Sequence, residues 1–97
     1  MKNLIGTYNE NYRIEKQITL NSYTSIVWAC DEDNHKFVSW YAIQEPSKKI
    51  SYEFGHYSNR ETKSLLDFYE RVSYEIEDNI TWLKDKLDYE IKNDIIR

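Results

Sequence analysis

Ile50-Ser-Tyr-Glu-Phe-Gly-His-Tyr57 is followed directly by Ser58-Asn-Arg-Glu61, and between these two stretches the apolar period changes. Before Ser58, Ile50, Tyr52 and Phe54 alternate with Ser51 and Glu53, the period of two expected of a strand. After Glu61, Leu65, Tyr69, Val72, Ile76, Ile80, Leu83 and Leu87 recur at steps of three and four, one continuous helical stripe. Ser58 and Glu61 fit a capping box, in which the hydroxyl accepts from the Glu61 amide and the carboxylate reaches back. A sheet therefore hands over to a helix near Ser58, with Gly55-His-Tyr57 at the corner.

Upstream, three more stretches read as strands. Tyr12 to Leu20 places Tyr12, Ile14, Ile18 and Leu20 on one side and Arg13, Glu15, Gln17 and Thr19 on the other. Tyr23 to Cys30 and Phe37 to Ile43 are rich in β-branched and aromatic residues and apolar on both faces, which suits central strands. Asn21-Ser22, residues 31–36 and Pro46 punctuate them. Leu4 to Tyr8 is a candidate for a short extra strand. The expected fold is one α+β domain over residues 1–97: an antiparallel four- to five-stranded β-meander over about 4–57, then one long helix or two helices over about 59–95, packed on one sheet face. An unbroken helix would be on the order of 55 Å long at 1.5 Å per residue, more than such a sheet covers. A break near Asp78-Asn79 is the favoured resolution, with a far half that meets a partner as the other.

Composition narrows the function. Nine Tyr, three Trp and three Phe make 15% of the 97 residues, a supply of rings suited to partly exposed surfaces. The single Cys30 rules out an internal disulfide. With no secretory pattern and no apolar run of membrane-spanning length, a cytoplasmic chain without membrane contact is expected. Residues 1–60 hold seven acids and seven bases, whereas residues 61–97 hold ten acids and six bases, so the net charge of −4 lies in the helical half. No basic face is available for direct nucleic-acid binding.

Cys30, Asp31, Glu32, Asp33 and His35 bring a thiol, carboxylates and an imidazole together, with His56 as a further possible ligand. The segment lacks both the paired Cys/His spacing of zinc sites and the glycine and terminal glutamate of a calcium loop. A strand-end cysteine before an acidic turn is the better reading, so no metal and no cofactor are expected. A Cys30–His56 nucleophile pair is disfavoured because neighbouring acids would raise the thiol pKa, and no catalytic residue is assigned. On the helix, Asp67, Glu70, Glu77, Asp78, Asp85 and Asp88 share one side, too sparse beside the one charge per ~1.7 Å of a duplex to imitate it closely.

The expected function is that of a small non-enzymatic protein-binding protein. Composition suggests an AT-rich genome and, by that association alone, a phage or mobile-element inhibitor of a host defence complex, of the anti-CRISPR or anti-restriction kind. The alternative is a self-associating structural or accessory protein, a homodimer with a helical seam; a small enzyme using Cys30 and His56 is third. Candidate partner-binding residues are Trp82, Tyr89, Ile91 and Ile95, the acids Asp78, Asp85 and Asp88, and His56 and Tyr57 at the corner.

Overall fold

A computed structural model describes residues 1–96, the side chains of Asn79 and of residues 94–96 excepted. Five strands, β1 (Tyr8–Asn9), β2 (Tyr12–Thr19), β3 (Thr24–Asp31), β4 (Lys36–Gln44) and β5 (Ile50–Ser58), precede one helix, α1 (Glu61–Ile96). The strands form a curled antiparallel meander in the order β1-β2-β3-β4-β5, each paired with its sequence neighbour. Both faces of β3 and β4 are buried, as their apolar composition requires.

The face away from α1 is closed by the sheet's own curl and by the N-terminal segment. Leu4, Tyr12, Ile14, Val27, Ala29, Val38, Trp40 and Ala42 form its core, with Met1, Ile50 and Tyr52 at the margin. Gln17 holds the segment in place. Its amide accepts from Leu4 N at 2.7 Å and donates to Lys2 O and Ser25 Oγ, both at 3.0 Å. The expected strand at Leu4–Tyr8 is therefore in part a plug: β1 pairs at Tyr8–Asn9, and just before it Gly6 N donates to Ile14 O at 2.8 Å and Ile14 N to Thr7 O at 2.9 Å.

On the other face, Ile26, Trp28, Cys30, Phe68 and Val72 form a second core, joined by Ile18, Leu20, Phe37, Tyr41 and Leu65. Ile18 and Leu20 were expected beside Tyr12 and Ile14, but a register shift between Ile14 and Lys16 moves them across the sheet. A second shift, opposite Trp40, does the same to Phe54. That residue takes φ 56°, leaves the side of Tyr52, and meets the Tyr41 ring edge-on at 5.9 Å.

The start of α1 differs from the capping box. Ser58 Oγ accepts from Arg60 N at 3.1 Å, a local turn, and Arg60 O accepts the first helical bond from Ser64 N at 3.0 Å. The stretches on either side of 78–79 are joined in a single helix of 36 residues, so Asp78 caps nothing. At 1.5 Å per residue that is roughly 54 Å of helix, and the whole molecule measures 63 × 32 × 18 Å. Ser64, Phe68, Arg71, Val72 and Glu75 hold α1 on β3, β4 and β5, and the helix then runs past the sheet.

Candidate functional site

Beyond Glu75 every α1 residue whose side chain is described is solvent-exposed, apart from partly covered Asn93. Ile76, Ile80, Leu83, Leu87 and Ile91 are each between 43% and 55% exposed, and the stripe continues backwards through Tyr69 (50%) and Leu66 (58%) beside the sheet. The sheet has not taken this stripe. It has taken the line of Phe68, Arg71 and Glu75, which lies about 130° round the helix from it at ~100° per residue. Leu66, Tyr69, Ser73, Ile76, Ile80, Leu83 and Leu87 follow one another at alternating steps of three and four. That spacing is the narrow seam of a coiled coil rather than the wide stripe of a surface helix.

Trp82 and Tyr89 lie off that seam, continuing the sheet-facing line past the sheet's end, 61% and 67% exposed. Lys86 Nζ sits 5.3 Å over the Trp82 ring. Ile91 borders the seam; Ile95 lies outside the described residues as to its side chain. Asp78, Asp85 and Asp88 are exposed on the opposite side. Asp67, expected among them, is drawn inward to the sheet.

That inward turn builds the second candidate site. Asp67 Oδ2 accepts from Ser39 Oγ at 2.9 Å, lies 2.9 Å from His56 Nδ1, and stands 3.9 Å from Arg71 Nε. Arg71 is largely enclosed: Nη1 donates to Ser39 O and Oγ at 3.2 Å, Nη2 to Phe54 O at 2.5 Å, and its Cζ sits 5.1 Å over the Tyr41 ring. Burial lowers the Arg71 pKa, with Asp67 opposing that shift. Tyr41 donates to Glu75 at 2.8 Å, and burial followed by that bond pushes the phenol up to about 12. Tyr41, Ile43, Phe54, Gly55, His56, Arg71 and Glu75 line an open groove of about 630 Å³.

The groove holds the residue types of a nucleophilic triad in an order that does not make Ser39 a nucleophile. In a nucleophilic triad the imidazole stands between carboxylate and hydroxyl; here the carboxylate stands in the middle. Ser39 is fully buried and donates to Asp67, so its oxygen is neither free nor reachable. Among the described residues the imidazole's only hydrogen-bond partner is Asp67.

His56 and Tyr57 do not form one recognition corner. Adjacent strand residues project to opposite faces, and Tyr57 packs edge-on against Tyr12 and Trp40, its hydroxyl accepting from Trp40 Nε1 at 3.1 Å. Gly55 permits this packing, since a Cβ there would stand 2.5 Å from the Tyr57 ring and 2.9 Å from Trp40 Nε1.

Cys30 and His56 are likewise apart, on β3 and β5 with β4 between them. Cys30 is buried under α1, and its thiol is pushed up to about 11 by burial first, then by Glu15, Glu61 and Glu32. Asp31 is buried and accepts from Asn34 at 2.8 Å, while His35 closes the turn with φ 50°. Among the described residues no three His, Cys, Asp or Glu side chains gather as a metal site would require.

Sequence reasoning missed the Ser39–Asp67–Arg71 network, which depends on a register that only pairing reveals. No helix among the described residues is long and apolar enough to cross a membrane. No family model matches the chain, and no curated protein or solved structure does either.

Proposed function

We propose that this chain is a non-enzymatic protein-contact module whose working surface is the part of α1 beyond the sheet. One observation carries the reading: a helix anchored at Ser64–Glu75 presents an unpartnered seam of Ile76, Ile80, Leu83 and Leu87 to solvent. A helix segment without tertiary contacts is marginal in water, and a continuous apolar face of this kind marks an interaction surface. Charge supports the same element. Acids on its far side keep it soluble without supplying the density that mimicry of a nucleic acid needs.

A catalytic role at the groove is weaker, because the hydroxyl and imidazole of the Ser39–Asp67–His56 chain never meet. The narrower expectation, an inhibitor of a host defence complex, keeps only its compositional support.

The test is the paired change Ile80→Asp and Leu83→Asp, used as bait beside the unchanged chain in lysate of a low-GC bacterium. Both positions are remote from the sheet cores, so the thermal midpoint of the domain should stay within a few degrees. The proteins retained by the unchanged chain, its own copies included, should be lost. Identical retention by both baits would sink the proposal.

A further inference from the structure

Resting on that reading, we propose that the seam of α1 is filled by the same seam of a second copy running antiparallel. The apolar run ends at both sides in polar residues, Ser73 before Ile76 and Glu90 after Leu87, so its midpoint falls between Thr81 and Trp82. A two-fold axis there stacks Ile76 on Leu87 of the partner subunit and Ile80 on Leu83 of the partner subunit. Repeated by symmetry, these make four wholly apolar layers. Both ends of the run are used and no polar residue enters a layer.

Charge selects the direction. The shoulder of the seam that carries Glu70, Glu77 and Lys84 changes sign along its length, and all three side chains are exposed. In an antiparallel pair each shoulder faces its own copy, and the same axis brings Lys84 of the partner subunit to within two residues, about 3 Å of helix rise, of the level of Glu77, twice. In a parallel pair this shoulder would face the other one, which carries Leu65, Val72, Asn79, Lys86 and Asn93 and no acid. Lys84 would then find no opposite charge. The antiparallel arrangement also sends the two sheets to opposite ends, where they do not compete for space.

The anchored half of α1 makes so short a seam workable. The helix is nucleated and fixed on the sheet by Phe68 and Val72, so pairing does not have to order the chain first. Trp82 and Tyr89 remain outside the seam.

Sedimentation equilibrium of the full chain, from micromolar to near-millimolar concentration, is expected to show a monomer–dimer equilibrium. Glu77→Lys and Lys84→Glu, each alone, place like charges near one another twice. Each should weaken dimerisation roughly five- to tenfold, more at low salt. The double variant should restore it to within about twofold of the unchanged chain, since it exchanges the partners of both pairs. These positions are exposed and leave folding alone. A monomer at every concentration overturns the proposal, as does a dimer indifferent to the single changes or a double variant as weak as either single. The contact reading fails separately: a monomer whose captured partner is lost on Ile80→Asp/Leu83→Asp overturns only the second copy as occupant. A dimer that survives that paired change overturns both.

Discussion

Cys30 shows how far a side chain's chemistry is set by the face on which it lands. Its sequence neighbours Asp31, Glu32 and Asp33 were expected to disfavour the thiolate. The direction holds, but the principal cause is burial under α1, and of those three acids only Glu32 contributes, behind Glu15 and Glu61. The contributors from β2 and α1 are distant in sequence, so their effect was not legible there. A thiol raised from 9.0 to about 11 holds its proton more tightly in the folded state. Its contribution to stability is complete below the unfolded value near 9 and is lost as pH rises through about 11. Alkylation by iodoacetamide should therefore be slow in the native protein at mildly alkaline pH, with a rate profile rising towards pH 11 rather than 9. Denaturant should make it fast. Rapid native alkylation with a midpoint near 9 would contradict this placement.

At the scale of elements, strand positions were legible because alternation and turn residues are local signals; the faces were legible only until the first bulge. One extra residue at Ile14–Lys16 moved Ile18 and Leu20 to the helix side, and another opposite Trp40 carried Phe54 the same way. The helix repeats the lesson. Of its longest stripe only the near end, Leu65 and Val72, lies in the sheet-side core, beside Phe68 from off the stripe, and there Trp28 Nε1 donates to Ser64 Oγ at 3.0 Å in a buried contact. Serine gave no hint of this in the sequence, since nothing local distinguishes it from the helix's other small polar residues. Ser64→Ala is expected to leave the indole N–H without its acceptor in a site closed to water, lowering stability by about 1–3 kcal/mol. A lower urea midpoint with an unchanged slope would report it. An unchanged midpoint would mean that the bond does not tie α1 to β3.

For the molecule as a whole, the chain divides into a self-contained sheet with half a helix and a second half-helix none of whose described side chains is buried. Neither hydrophobic core includes a residue beyond Val72, and the last sheet contact from the helix described here is Glu75 with Tyr41. Truncation after Asp78 should accordingly leave a folded domain with both cores and the Arg71 network intact. The full chain, by contrast, has its stability linked to its own concentration if α1 pairs with a second copy, because only the folded chain presents a formed seam. In the range where dimer predominates, a tenfold rise in concentration adds about 1.4 kcal/mol per dimer, or about 0.7 kcal/mol per chain. For a domain of this size that raises the melting temperature by roughly 3–5 °C. The truncated chain should melt at a temperature independent of concentration, close to that of the full chain at its most dilute. Differential scanning calorimetry of the two chains across a dilution series measures both quantities. A flat series for the full chain would separate the exposed seam from self-association, and a truncated chain that no longer melts cooperatively would make the far half of α1 part of the fold.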